Sequence, residues 1–218
     1  MAPIIRIAAT LAAVAGLALG ETIDWKQVEE AGPAVGFDLE AQAAAAPPAP
    51  VTNYTVPVAL GDASIRAPLD CKDRDTYLGQ QFFTEGPLQT GRCADACTAQ
   101  REWDAKWDGG KKPCRFFNTY TLVKVTKGDK AGTPSVSTPA GQVCALYTES
   151  WPASYATDKG QWRDNTLFVI TDSWSASNAA NPGSGDCTRS TVTPKPTVTP
   201  APTGLTTKTV TTTTTTSK

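Results

Sequence analysis

Six cysteines and no histidine set the chemistry open to this 218-residue chain. Without imidazole there is no Ser-His-Asp triad, no His-ligated metal and no proton shuttle poised near neutral pH. An even number of cysteines suits three disulfides in an oxidising compartment, and no Cys-x-x-Cys pair is present to hold a metal. Carboxylate pairs remain as an acid–base route, as in glycoside hydrolysis. Glu149, Asp158, Asp164 and Asp172 are the nominees, interspersed with aromatic residues. No spacing fixes two of them at a working distance, and surface charge is what acidic residues ordinarily supply. Neither Gly-x-Ser-x-Gly nor Ser-x-x-Lys occurs, so no serine nucleophile is marked. Asp70, Asp73 and Asp75 alternate with Lys72 and Arg74, unlike a calcium loop with ligands at alternate positions and glycine at the sixth. No catalytic residue, metal or cofactor is expected.

Aromatic residues offer a different chemistry. Tyr147, Trp151, Tyr155 and Trp162 lie close together among Thr, Ser, Asp and Gln. Flat rings stack on sugar rings through C–H contacts while neighbouring polar groups take the hydroxyls, and protein partners favour the same residues. These four are the candidate ligand contacts. The competing reading is that they fill the core of a small domain, where aromatics supply most of the apolar area.

The surrounding chain says where such a unit works. Charge is nearly balanced, 20 Lys plus Arg against 21 Asp plus Glu, so there is no basic field to hold nucleic acid. Residues 1–20 read as a signal peptide. Ile7–Leu19 is an uncharged apolar run of 13 residues, shorter than the roughly 20 that span a bilayer, and Ala18-Leu19-Gly20 carries small residues at both positions before the expected cut. Residues 21–70 read as an acidic, Ala/Pro-rich leader or linker. Its part up to residue 50 is too poor in large apolar side chains to offset the entropy of ordering. Asn53-Tyr54-Thr55 is an N-glycosylation sequon, with Asn53 as acceptor. Residues 188–218 are Thr- and Pro-rich and end in a run of six threonines, the composition of a solvated, O-glycosylated stalk. That tail lacks the apolar stretch of a GPI signal, so no membrane anchor is expected.

The folded unit is thus expected between Cys71 and Cys187. In Cys93-Ala-Asp-Ala-Cys97 the four-residue spacing puts both sulfurs on one helix face, with Ala96, Gln100, Trp103 and Trp107 continuing the stripe. Asp108-Gly109-Gly110 ends that helix, and Pro113 prevents its resumption. Strand signals follow at Cys114–Thr126, Gln142–Trp151 and Thr166–Trp174, with a shorter one earlier at Thr76–Phe83 and a Gly-, Pro- and Ser-rich loop from Gly128 to Gly141. If Cys144 and Leu146 face the helix, alternation turns Ala145, Tyr147 and Glu149 to the other side. One helix packed on an antiparallel sheet is an α+β arrangement.

The order Cys71, Cys93-x-x-x-Cys97, Cys114-Arg-Phe-Phe-Asn118, Cys144-Ala-Leu-Tyr147, Cys187 resembles the PAN/apple superfamily. Tyr155-Ala156-Thr157 and Gly160-Gln161 make it most similar to the secreted apple-like modules of filamentous fungi. The pattern departs at Trp103-Asp104, where such modules often carry Tyr-Asn. The resemblance covers residues 71–187 and implies the pairing Cys93–Cys144, Cys97–Cys114 and Cys71–Cys187, one of fifteen that six cysteines allow. It also implies a recognition unit, binding extracellular carbohydrate or protein at the cell surface or in the matrix. A structural cell-wall glycoprotein without a specific ligand is the alternative, and a carboxylate-dependent hydrolase stands third.

Overall fold

The computed structural model describes residues 25–38, 47–126 and 135–186. The expected signal peptide, the Thr-rich tail and Cys187 lie outside them. The elements are α1 (Trp25–Glu30), β1 (Val58–Gly61), β2 (Ser64–Ile65), β3 (Tyr77–Phe83), α2 (Thr90–Trp107), β4 (Phe116–Thr126), β5 (Val136–Tyr147), β6 (Ala156–Asp158), β7 (Gly160–Arg163) and β8 (Thr166–Ser177). They form the expected α+β arrangement, with one long helix on an antiparallel sheet. Strand order is β1-β8-β4-β5-β3, and β7 joins β1 along the outer side of β8. Among the described residues no helix is long and apolar enough to cross a membrane.

Central position explains the sequence of β4. Flanked by β5 and β8 and covered on both faces, its first eight residues are all buried, so it reads as a continuous apolar and Thr/Asn run. Phe117, Cys144, Leu146 and Ala176 face α2, whereas Phe116, Ala145 and Tyr147 face away, as alternation requires. The buried side of α2 is Thr90, Cys93, Ala94, Ala96, Cys97, Gln100 and Asp104. Small side chains let the helix backbone approach the sheet closely, so polar-looking sequence still yields a packed face. The expected stripe fails at its end. Trp103 is half-buried, and Trp107 is 66% exposed with Lys106 Nζ over its ring at 4.8 Å. The returning chain takes that side of the helix instead. Gly110 N–H donates to Asp104 O (3.1 Å) and Lys112 N–H to Asp104 Oδ1 (2.9 Å), with Gly109 and Gly110 both at positive φ where a β-carbon would strain.

Two disulfides tie helix to sheet, Cys93–Cys144 and Cys97–Cys114, with Cα separations of 5.3 and 5.2 Å. They close loops of 51 and 17 residues; chain entropy alone makes these worth about 4 and about 3 kcal/mol. Beside them Gln142, fully buried, does a cap's work. Its Nε2 donates to Gln89 O (2.8 Å) and Thr119 Oγ1 (2.8 Å), and its Oε1 accepts from Gln89 N–H (3.2 Å). Gln89 is the N-cap residue of α2 and makes no side-chain cap of its own, so a strand side chain holds the start of the helix.

The folded body reaches further towards the N-terminus than the expected 71–187. β1 and β2 both precede Cys71, and Tyr54 is buried between α2 and Phe117, donating to Ala94 O at 3.2 Å. Part of the expected leader is docked as well. Val28 is fully buried, Trp25 meets Phe168 edge-on at 5.3 Å, and Lys124 Nζ donates to Glu29 O and Ala31 O at 2.9 and 2.7 Å. Ala34, Val35 and Gly86 add backbone bonds that run this strap along the β3–β5 margin. A single buried valine and one tryptophan, invisible against an alanine-rich background, supply the anchor. β5 likewise starts six residues before the expected Gln142, passing through Pro139. The proline sits beside a bulge, where Ala140 is extra between the Leu122–Gly141 and Val123–Pro139 pairs. Gly141 is required there because a β-carbon would strike Phe83 O.

Candidate functional site: a tyrosine-lined cleft

A second ribbon, β2 paired with β6, lies over the sheet face opposite α2. Side chains from the sheet hold it, Tyr120 through Ser64 and two more at Ile65. Ile65 N–H donates to Asn118 Oδ1 at 2.8 Å, and Tyr147 Oη donates to Ile65 O at 3.0 Å. Asn118 is completed by Nδ2 bonds to Ser173 Oγ (2.9 Å) and Trp174 O (3.0 Å), a buried polar group with its partners in place.

Between ribbon, sheet and strap opens a cleft of about 280 Å³. Tyr77, Tyr120 and Tyr147 line its sheet side, Trp25 and Gln80 stand at its margins, and Asp158 with Gln161 borders it from the ribbon and β7. Tyr77 meets Tyr147 edge-on at 5.6 Å. Burial raises the pKa of all three phenols above the ordinary tyrosine value; the charge of Asp75 adds to this at Tyr77, and the Asp158 charge at Tyr120 and Tyr147. They therefore stay protonated donors throughout the neutral range. Gly160 lets β7 close the far side, since a β-carbon there would collide with Phe168 O. The cavity is at the small end of ligand pockets, about 300–1,000 Å³, and suits one compact polar group against aromatic edges.

Of the four nominated aromatics, only Tyr147 borders this cleft, and it is 4% exposed. Trp151 is equally buried; its Nε1 donates to Thr76 Oγ1 at 2.9 Å, and its ring meets Tyr155 edge-on at 4.9 Å under the Gly185 backbone. Tyr155 is half-buried in a 3₁₀ turn over Ala153–Tyr155, and Trp162 is 62% exposed on β7. The structure thus does not gather the four into one patch. Strand alternation placed Tyr147 on this face; Tyr77 and Tyr120 join it only through the register Tyr77–Tyr147 and Tyr120–Val143, which spacing along the chain does not encode.

The four carboxylates separate too. Asp158 borders the cleft and accepts Gly160 N–H, Asp164 sits at positive φ in the β7–β8 turn, and Asp172 accepts Trp174 Nε1–H at 2.7 Å. Glu149 lies elsewhere, paired with Arg115 at 3.1 Å. Asp70 is a loop anchor. Its oxygens accept Lys72 N–H (2.8 Å), Arg74 N–H (3.0 Å) and the Arg74 guanidinium (2.6 and 2.9 Å), and the Arg74 bond above all lowers its pKa to about 2. Among the described residues no group of three potential ligands is placed to hold a metal. Asn53 is exposed on the turn leading to Tyr54, open to a glycan. Protein-family models, curated proteins and solved structures yield no match to this chain.

Proposed function

We propose that this chain is a secreted, non-catalytic recognition module of the PAN/apple-like kind, closed by a Cys71–Cys187 bridge and binding a sugar unit of an extracellular glycan in the tyrosine cleft. The observation that carries the reading is the cleft itself, where protonated phenols, Gln80, Gln161 and Asp158 surround a space with aromatic walls. The Tyr77 phenol and the two amides as donors, with one carboxylate acceptor, match the mixed donors and acceptors of a sugar's hydroxyls, while the Tyr147 hydroxyl is committed to Ile65 O. The helix-to-sheet disulfides are those the apple-like resemblance implies, and Cys71 Sγ lies 3.6 Å from Gly185 O, two residues before Cys187.

A glycan array followed by calorimetry on the full chain tests it. Gln80→Ala and Asp158→Asn should each weaken a hit by about tenfold, the effect of losing one strong polar contact, with the melting temperature unchanged. Burial of Tyr147 and Trp151 favours a second reading, a structural wall glycoprotein in which aromatics serve only the core. Absence of any ligand at millimolar concentration would decide for it.

A further inference from the structure

A second cleft, of about 510 Å³, shares no lining residue with the first. Three chain segments meet around it: the loop before β3 with Lys72 and Arg74, the turn after α2 with Lys111 and Lys112, and Arg115 facing Glu149. In a chain whose formal charge is −1, five cationic side chains gather here. Two carboxylates, Asp75 and Glu149, line it too, against the five cations; Asp75 accepts Tyr77 N–H at 2.9 Å, and Glu149 Oε1 lies 3.8 Å from Arg74 Nη2. Asp70 holds Arg74 through two guanidinium bonds, while Glu149 takes Arg115 Nη1 at 3.1 Å and Ser184 N–H at 2.9 Å. Lys111 has only an exposed contact with Asp108 at 3.8 Å. Lys72 and Lys112 have no carboxylate partner among the described residues.

Arg115 adds a more specific signal. Its Nε is buried and without an acceptor among the described residues. Such a donor is unusual in a folded protein, and the same guanidinium is held at Nη1 by Glu149 on the cleft wall. Disulfide Cys97–Cys114 fixes the chain immediately before Arg115, and Asp70 fixes the loop opposite, so the cations are held in position before any ligand arrives. We propose that this cleft is a binding site for an oxyanion group, a carboxylate, sulfate or phosphate, which Arg115 and the ammonium groups of Lys72 and Lys112 receive. Guanidinium and ammonium donors converging on one cavity make charge-assisted bonds to such oxygens.

The test uses the full chain. Its ¹⁵N spectrum, including the arginine Nε–H region, is titrated with sodium sulfate and sodium phosphate at constant ionic strength. Retention on immobilised polygalacturonate and on dextran sulfate is measured alongside. Saturable shifts of Arg115, Lys72 and Lys112 are expected, with about tenfold weaker binding in the Lys72→Gln/Lys112→Gln double variant. Lys106→Gln and Lys159→Gln should stay within about twofold of the parent. Retention on polygalacturonate alone assigns the site to carboxylates, and on dextran sulfate alone to sulfate-type groups; inorganic-ion shifts without polymer retention assign it to free ions. No saturable shift and no retention, or an equal loss in the control lysine variants, overturns the proposal.

Discussion

Replacing Tyr147 by Phe deletes a single oxygen and leaves the ring against Tyr77 and Phe116, both at 5.6 Å between centroids. What disappears is the 3.0 Å bond to Ile65 O, one of the side-chain bonds, with those of Asn118 and Tyr120, that hold the β2–β6 ribbon over the sheet. A net hydrogen bond is worth about 1 kcal/mol, and a buried carbonyl left without its donor adds a similar penalty, so the expected cost is about 2 kcal/mol. With a urea dependence near 2 kcal/mol per molar, the unfolding midpoint should fall by about 1 M. Urea unfolding followed by tryptophan fluorescence, with disulfides intact, reads it directly. Amide exchange at Ile65 and Ala156, partners in the ribbon, should quicken in the same variant. Tyr155→Phe is the control, because its hydroxyl makes no hydrogen bond among the described residues, and it should stay within about 0.5 kcal/mol of the parent. A Tyr147→Phe midpoint within about 0.3 M of the parent would refute the account of Tyr147 as the fastening of the cleft wall.

Gln142→Leu should cost about 3 kcal/mol by urea unfolding, since three bonds vanish and the Gln89 peptide groups lose their partner; a neutral result would mean the helix start needs no such cap. Val28→Ala should lower stability by about 2 kcal/mol for two buried methyl groups, and an unchanged melt would show that the strap does not contribute in solution. Acid should reveal Asp70. Its folded pKa of about 2 lies below the unfolded value near 3.9, so its stabilisation is complete above about pH 4 and disappears as pH falls through 2. The midpoint difference between parent and Asp70→Asn should therefore shrink steadily from pH 5 to pH 2, and a difference independent of pH would contradict the assignment.

Local pattern carried much of the fold. Alternation and β-branched density located β3, β4 and β8 to within a few residues, because a strand buried on one or both faces must write its burial into its own sequence. The Cys93/Cys97 spacing did the same for α2. Short edge pieces such as Ser64–Ile65 and Ala156–Asp158 have no such signature, since their backbone bonds, not their side chains, place them.

Periodicity by itself specified an α+β body of one helix on an antiparallel sheet, because periodicity is a property of one segment at a time; which cysteines join helix to sheet was implied only by the apple-like resemblance, since pairing links distant segments. Which aromatics share a cavity was decided by strand register. Tyr77, Tyr120 and Tyr147 come from three strands, and only hydrogen-bonded pairing brings them to one face. The basic cleft depended on tertiary folding for the same reason. Lys72, Lys112 and Arg115 carry ordinary surface charges along the chain, and they become a concentrated field only where loop, helix end and strand start converge.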